Sequence, residues 1–266
     1  MNNPLYIGNW QLALGVIFIF FAGAASLVHK LGLGKDLAVG TVRTFAQLFL
    51  MGYALTIIFQ LTMGWVVVLI YAGMIFFAAW TVRGRVTEKQ VRFFFPTLGA
   101  MMASYMLVTI LITGVIVQAE PWWDPRYFLP LGGMVVGNSM TAISLSLDRF
   151  FSDLRTRREE VEMKLSLGAD YKEASRDIFA SAISAGMIPS INSMMGVGLV
   201  FIPGMMTGQV LTGADPMDAV RYQIIVMLML VGSTAIGSLL VTWLVRRRCF
   251  GPAHQLVLTR SLGGGS

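Results

Sequence analysis

Few side chains in this sequence have the types and spacing that catalysis requires. Residues 32–36 read Gly-Leu-Gly-Lys-Asp, but a nucleotide-phosphate loop needs a different spacing and a hydroxyl residue after its lysine. Neither an H-E-x-x-H nor a G-x-S-x-G pattern occurs, and the one cysteine, Cys249, lies beside three arginines. His29 and His254 lie near opposite ends of the chain. We therefore predict no catalytic residue and no cofactor in this chain, and we assign no metal ligand.

Polar side chains inside apolar segments are the other groups that could bind or pass a solute. A charge at the centre of a bilayer costs about 2.5–3.5 kcal/mol, so Arg43 needs a reason to lie within a span. It either snorkels to the surface or, with Gln47 one turn away, faces a pathway or a neighbouring helix. Neutral polar groups either hydrogen-bond between helices or line a route. The candidate translocation pathway is Arg43, Gln47, Asn138, Asn192, Ser193, Met194, Met195 and Pro203.

Prolines and glycines interrupt the apolar stretch that carries most of these candidates. Pro189 and Pro203 interrupt its helical pattern, and glycines between residues 196 and 208 loosen it further. Helices in membranes are broken where their backbone faces protein or a cavity. Residues 189–208 are therefore predicted to be the moving, substrate-facing element. The 18 methionines favour adaptable packing, although thioethers also bind soft metals such as Cu(I).

One long charged excursion, residues 148–176, separates two apolar segments. Opposite charges four residues apart are typical of a solvated helix, and each pair stabilises it by about 0.2–0.5 kcal/mol. The predicted pairs are Asp153 with Arg157, Arg155 with Glu159, Arg158 with Glu162, and Glu160 with Lys164. Gly168 is predicted to end this helix, and Asp170 to cap the next one with Glu173 as its reciprocal partner.

The excursion is thus predicted to be a helix-turn-helix elbow after the fifth span, with two leucines at its tip. Apolar side chains on an exposed tip indicate a docking surface for another protein. The predicted contact residues are Glu162, Leu165, Ser166, Leu167, Gly168, Ala169, Asp170, Tyr171 and Lys172.

The elements that position these groups are those of an all-α integral membrane protein. Of 266 residues, 56% are hydrophobic and 13% are charged, against roughly a quarter charged in a typical soluble domain. One span needs about 20 apolar residues, which leaves room for about seven. The predicted spans are residues 10–29, 39–60, 63–82, 93–118, 129–147, 183–211 and 219–245. Residues 87–90 predict a capping box before the fourth span, and residues 215–218 a capped start of the seventh.

The cations predict the orientation of the spans. Most of them fall at one end of the spans, whereas Arg126 and Arg221 fall at the other with four acidic residues. The positive-inside rule then places the N-terminus outside and the elbow and C-terminus in the cytoplasm. The net charge of +6 is therefore a signal of topology, and we predict lipid and no nucleic acid as its partner.

The domain organisation is predicted to be simple. Residues 1–258 form a single transmembrane domain that includes the elbow, and residues 259–266 are a flexible linker or a cloning remnant. The first apolar run has no basic segment before it and is long enough to span, so no cleavable signal peptide is predicted.

Several motifs carry a resemblance to one family. Glu162, Gly168 and Ile178 keep most of the spacing of the EAA loop, by which ABC-transporter permeases contact their ATPase. Met163 and Lys164 stand where that loop has small residues, and residues 180–181 read Ala-Ser where Leu-Pro is usual. Further motifs are residues 43–48 with Gly52, 137–140, 164–169, 198–208, 222–224 and 254–257. In order and spacing, the stretch from about residue 31 to 258 resembles FetB-type permeases, the membrane subunits of an iron-export ABC system.

The resemblance implies a permease without catalytic machinery, paired with two copies of a separate ATPase that binds ATP and Mg. It further implies export of a metal ion such as iron from the bacterial cytoplasm, across the inner membrane, by alternating access. Seven spans are few for enclosing a route, so a homodimer is expected. The alternative is a secondary transporter or channel that is not coupled to ATP, for which acidic residues at mid-membrane would be expected.

Overall fold

A computed structural model describes residues 8–60, 63–88, 90–251, 253 and 255–258. The helices are α1 (Asn9–Gly15), α2 (Ile17–Val28), α3 (Gly34–Ile58), α4 (Gly64–Arg85), α5 (Phe94–Leu111), α6 (Pro125–Thr156), α7 (Arg158–Ser166), α8 (Tyr171–Ala174), α9 (Arg176–Gly196), α10 (Gly204–Leu211) and α11 (Pro216–Arg248). A π-helical turn, Ile112–Ile116, extends α5. Within the described residues there are seven segments long and apolar enough to cross a membrane and no extended strand. The predicted all-α fold with about seven spans is confirmed.

Five of the membrane-length helices form a bundle with a continuous core. α6 contacts α4, α5, α9 and α11, and α11 contacts α5 and α9 as well. Glycines allow the closest approaches: a Cβ on Gly132 would collide with the Tyr71 ring, and one on Gly186 would lie 2.6 Å from the Ala142 carbonyl oxygen. Lipid is as apolar as these side chains, so close packing of small residues is what brings the helices together.

The first two spans form an N-terminal hairpin, residues 9–58, that makes few contacts with the bundle. α2 packs against α3, and the Leu33 N–H donates to the Ser26 hydroxyl (3.0 Å) across the turn between them. α3, which the structure describes over its whole length, has no buried residue. Ile58, at the end of α3, packs against the bundle core. The hairpin is therefore attached to the bundle chiefly through its last turn.

The fifth and sixth spans differ from their predicted boundaries. α6 runs to Thr156, nine residues beyond the apolar stretch, because the charged residues that follow continue the same helix. The predicted span over residues 183–211 is interrupted at Pro203, as expected, but its predicted bounds and the break at Pro189 were wrong. α9 passes through Pro189 without ending, and the chain leaves the helix after Gly196. Gly198 then adopts a left-handed φ of 82°, and Pro203 is the N-cap of the separate helix α10.

The two predicted helix starts had opposite outcomes. Asp215 caps α11 by accepting the N–H groups of Met217 (2.8 Å) and Asp218 (3.3 Å), as the sequence predicts. The capping box at residues 87–90 was wrong, because α5 starts only at Phe94. The Thr87 hydroxyl and N–H instead both donate to the Asp148 carboxylate on α6, at 2.9 and 3.0 Å.

Side-chain contacts bring three connections together at one end of the bundle, which we call the elbow end. Thr87 bonds to α6, Arg155 of α6 pairs with Glu88, and Arg158 of α7 donates to the Leu258 carbonyl (2.7 Å). The 86–93 connection, the elbow and the C-terminal segment therefore share one end, as the charge distribution predicts. The tail at residues 259–266 and His254 lie outside the described residues.

Candidate functional site

The elbow turn has the geometry that its sequence predicts. α7 ends at Ser166, and Gly168 follows with a φ of 97°, in the left-handed region that favours glycine. The Gly168 N–H donates to the Leu165 carbonyl (3.0 Å) and the Ala169 N–H to the Lys164 carbonyl (3.1 Å). These are the two bonds of a Schellman motif, which satisfies the last carbonyls of a helix. The turn is therefore held by its own backbone.

Asp170 starts the second arm of the elbow. Its carboxylate accepts the Glu173 N–H at 2.7 Å, and the Glu173 carboxylate accepts the Asp170 N–H at 3.2 Å. This reciprocal pair is the predicted capping box. After the four-residue helix α8, the chain enters α9 directly through Ser175. The elbow thus joins α6, through α7, to α9, and only single residues, Arg157 and Ser175, separate the helices on either side of the turn.

Ion pairs along α7 stiffen the first arm. The predicted pairs Arg158 with Glu162 (2.7 Å) and Glu160 with Lys164 (2.8 Å) are present. The Arg157 guanidinium donates to the Glu160 carboxylate through Nε and through a terminal nitrogen, both at 2.8 Å. The predicted pairing of Arg157 with Asp153 was therefore wrong. Hydrogen bonds from Arg157 and then Lys164 lower the pKa of Glu160 to about 2. The same contacts with Glu160 raise the pKa of Arg157 and of Lys164.

Arg155 does not follow the predicted helical pairing either. Its guanidinium reaches Glu88, in the connection between α4 and α5, at 2.5 Å, and the Glu88 side chain is buried. Glu159 was predicted as the partner because it follows Arg155 by four residues. In the folded chain the Arg155 side chain points toward the bundle and pairs with Glu88. This pair fixes the end of α6 against the 86–93 connection.

The two leucines of the elbow have different surroundings. Leu167 is 80% exposed at the turn, whereas Leu165 packs partly against the hydrophobic core. Of the other predicted contact residues, Glu162, Ser166, Gly168 and Lys172 are exposed and Ala169, Asp170 and Tyr171 are half-buried. Leu167 therefore projects at the turn, and Met163, one helical turn earlier on α7, is the other large apolar side chain exposed on the described elbow.

A polar cluster lies inside the bundle, where α6, α9 and α11 meet. The Asn138 amide donates to the Ser190 hydroxyl (3.0 Å) and to the Thr234 hydroxyl (3.1 Å). Ser190 and Thr234 are themselves 3.3 Å apart, and the Ser139 hydroxyl donates to Ser233 (3.4 Å). One predicted pathway residue, Asn138, is thus the centre of a network that joins three helices.

A separate cavity of about 410 Å³ lies between the end of α9, the 197–203 turn, α10 and α11. Two predicted pathway residues, Met194 and Pro203, line it together with Met206, Gln223 and Met227. The lining is mainly apolar, and it brings the turn and α11 together at the end of the bundle opposite the elbow. Among the described residues, no group of three or more His, Cys, Asp or Glu side chains could hold a metal ion.

The other predicted pathway residues lie apart from both features. Arg43 and Gln47 are exposed on α3, and neither has a hydrogen bond or ion pair among the described residues. Asn192, Ser193 and Met195 are exposed near the end of α9. Within one copy of the chain, the structure therefore divides the predicted pathway between a bundle portion and a hairpin portion.

Sequence reasoning missed several residues of these sites. Ser190 and Thr234 complete the Asn138 cluster. Both belong to rows of small residues spaced by four, Ala182, Gly186 and Ser190 on α9 and Thr234 and Ser238 on α11, and this spacing is a signal of close helix packing that sequence reasoning missed. Glu88 was predicted as part of a cap, and its burial against Arg155 has no local signal.

Comparisons with known proteins agree with this architecture. A family model described as "Uncharacterised protein family (UPF0014)" matches residues 9–250. The "UPF0014 membrane protein slr1647" of Synechocystis sp. is 38% identical over 97% of this chain and 100% of its own length. The "Probable iron export permease protein FetB" of Escherichia coli is 31% identical over 97% and 98%. "Protein ALUMINUM SENSITIVE 3" of Arabidopsis thaliana is 30% identical over 94% and 90%.

No solved structure matches the chain. The family match covers the hairpin, the bundle and the elbow alike, so it concerns the whole described architecture. The resemblance to FetB-type permeases is confirmed by the relative of that name. This multi-pass membrane protein belongs to the UPF0014 family.

Proposed function

We propose that the chain is the permease subunit of an ATP-driven ABC transporter in the bacterial inner membrane. The observation that carries this proposal is the elbow: a backbone-locked turn with Leu167 80% exposed, joined without slack to α6 and α9. A rigid projection with one apolar tip suits docking into a groove of another protein. The elbow end is cytoplasmic in this proposal, in agreement with its excess of cations.

The energy source lies in a separate subunit. The sequence lacks a phosphate-binding loop, and its one charged excursion is too short for a nucleotide-binding domain. ATP and Mg therefore bind to an ATPase partner, in two copies for two permease chains, and this chain has no catalytic role. Closure of the partner on ATP pushes the elbow and rocks α6 and α9, which opens the route alternately to each side.

A metal ion such as iron is the proposed cargo, exported from the cytoplasm. Support for the cargo and its direction comes from the name of the Escherichia coli relative. The described residues offer no acidic or histidine cluster that would trap the ion. Weak ligands along a route allow an ion to leave as well as enter, which transport requires.

The proposed working unit is a homodimer. α3 exposes Arg43 and Gln47 on one helix face, and the part of the chain that the structure describes does not cover them. Ionisable residues in spans almost always face protein or a water-filled cavity. A second copy that packs against the hairpin covers this face and brings Arg43 and Gln47 to the route between the two bundles.

Reconstitution tests the proposal. The permease is purified with and without a candidate ABC ATPase from the same organism, placed in vesicles with the elbow outward, and assayed for ATP-dependent uptake of Fe²⁺ and other divalent ions. We expect a stable complex and uptake that requires ATP. Leu167→Asp is expected to abolish coupling, whereas Leu211→Asp, at a leucine that is also exposed but lies at the other end of the bundle, is expected to retain it.

Uptake driven by a proton or sodium gradient without the ATPase would support a secondary transporter instead. That outcome is not favoured by the positions of the acidic residues. In the described spans Asp36, Asp177 and Asp218 lie in the first turn of their helices, and Asp148 directly follows the apolar stretch of α6, so none of the four lies at mid-membrane.

A further inference from the structure

Arg246, near the end of α11, extends its guanidinium into the base of the elbow. The side chain is only 6% exposed. Its Nε donates to the Ser175 hydroxyl at 2.9 Å, and a terminal nitrogen donates to the carbonyls of Tyr171 (3.4 Å) and Lys172. The Tyr171 carbonyl also accepts the Ser175 N–H (3.3 Å) and the Ser175 hydroxyl (2.5 Å). Arg246 therefore binds a hydrogen-bonded turn at the end of α8, through two backbone carbonyls and the Ser175 hydroxyl.

Aromatic rings fix the plane of the same guanidinium. Its central carbon lies 4.9 Å from the centre of the Phe179 ring and 5.8 Å from that of Tyr171. Stacking combined with a fork of donors is a property of arginine that lysine does not share. The next two arginines, Arg247 and Arg248, are exposed. Of three consecutive arginines, one is thus built into the elbow.

The position of Arg246 gives the elbow a third connection to the bundle. By chain continuity the elbow is already joined to α6, through α7, and to α9. α11 has no such covalent connection, yet it supplies Thr234 to the polar cluster that it shares with α6 and α9. Twelve residues separate Thr234 from Arg246, a distance of about 18 Å along a straight helix. The bonds of Arg246 therefore join α11 directly to the second arm of the elbow.

We propose that Arg246 is a positioning residue that couples the elbow to α11, so that α6, α9 and α11 move as one when the elbow is pushed. This inference rests on the proposed function for the origin of the push. Without the guanidinium, the elbow moves α6 and α9 while α11 lags, and the three sides of the polar cluster separate. ATP is then hydrolysed without transport.

The test compares Arg246→Gln and Arg246→Lys with Arg247→Gln, a control on an exposed neighbour. Each variant is reconstituted with the ATPase, and complex formation, ATP hydrolysis and ions transported per ATP are measured. We expect Arg246→Gln to bind the ATPase and hydrolyse ATP but to lower the ions transported per ATP at least tenfold. Arg246→Lys is expected to rescue little of this loss, and Arg247→Gln to behave like wild type. An unchanged transport ratio in Arg246→Gln overturns the inference.

A second measurement on the permease alone separates this inference from the proposed function. Backbone amides of residues 171–179 are followed by hydrogen exchange in Arg246→Gln and in Ser175→Ala, which keeps the charge but removes both the acceptor of Nε and the bond from the Ser175 hydroxyl to the Tyr171 carbonyl. Faster exchange there, with the rest of the bundle unchanged, is expected for both variants. If wild type shows no ATP-dependent transport, the proposed function fails, and the exchange result still decides whether Arg246 holds the elbow. Unchanged exchange in both variants overturns that role.

Discussion

The N-terminal hairpin and the five-helix bundle have similar composition but opposite packing. Both consist of apolar helices of membrane length. In the bundle, α6 buries side chains along its whole length, whereas α3 buries none of its described residues. The bundle also contains the polar cluster and the elbow contacts, while Arg43 and Gln47 of the hairpin are exposed without a bond among the described residues.

Hydropathy therefore indicates that a helix lies in lipid, but it does not indicate which other helices pack against it. The bundle is specified by contacts within one chain: glycines at helix crossings, hydrogen bonds between helices and ion pairs at the elbow end. The hairpin has few such contacts, so the bundle does not determine the position of the hairpin in the membrane. We therefore expect changes in the bundle to act on folding, and changes in the hairpin to act on association.

The largest contrast is expected between two glycines. Gly186 faces α6 so closely that a Cβ would collide with the Ser146 hydroxyl and lie 2.6 Å from a backbone oxygen, whereas no described atom lies within 4 Å of a Cβ on Gly23. Gly186→Ala is expected to destabilise the protein by about 1–3 kcal/mol through overpacking. Gly23→Ala is expected to be neutral or slightly stabilising, since alanine favours helix. Thermal unfolding in detergent measures both, and equal effects would remove the contrast.

A smaller loss is expected when the polar cluster is opened. Asn138→Leu leaves Ser190 and Thr234 without the amide donor and is expected to destabilise the bundle by about 1–2 kcal/mol. Asn192→Leu is the matched control, because Asn192 is exposed on α9. Its unfolding temperature should remain that of wild type. An Asn192 variant as unstable as the Asn138 variant would show that the cluster has no special role in holding the helices.

The hairpin is expected to respond through the oligomeric state. If a second copy covers α3, Arg43→Leu removes an intermolecular contact and weakens the dimer about fivefold, the equivalent of about 1 kcal/mol. The unfolding temperature of the bundle should not change, and Arg43→Lys should keep most of the dimer. Light scattering over a range of protein concentrations measures the effect. A dimer that forms equally well in Arg43→Leu would leave α3 facing lipid, with Arg43 snorkelling.

The smallest effect is expected from acid at the elbow. Arg157 and Lys164 lower the pKa of Glu160 to about 2, so the folded elbow favours the charged carboxylate. The resulting stability is present above the ordinary glutamate pKa and is lost as the pH falls from about 4.5 toward 2. Hydrogen exchange of α7 should therefore accelerate in this range relative to α2. Glu160→Gln should remove the pH dependence, and an unchanged profile in that variant would assign it to another group.

The sequence predicted the elements whose signals are local. Seven apolar stretches, the Gly168 turn, the Asp170 capping box and the Asp215 cap depend on residues within one or two helical turns. Of the two predicted breaks, the one at Pro203 is present and the one at Pro189 is not, because Pro189 is tolerated inside α9 and the chain leaves the helix only after Gly196. Membrane helices tolerate proline where neighbours satisfy the freed carbonyl, which composition does not reveal.

Non-local contacts could not be predicted in this way. Arg155 has suitable partners both on its own helix and across the bundle, and only packing selects Glu88. Arg246, Arg247 and Arg248 are indistinguishable in the sequence, since their difference arises from the rotation of α11. For the candidate site, the elbow turn was therefore predictable in detail, and the residues that join it to the bundle were not.

The most direct test is crosslinking from the tip of the elbow to the ATPase. Leu167→Cys is made in a Cys249→Ala background, so that the probe reacts at position 167. Cys249 is buried, and burial raises the pKa of its thiol, so this replacement removes a thiol that is itself poorly reactive. A photoreactive maleimide on position 167 is expected to link the permease to the ATPase, while the same probe on Leu211→Cys, at the other end of the bundle, is expected not to. Links from position 211 with none from position 167 would contradict the proposal that the elbow receives force from that partner.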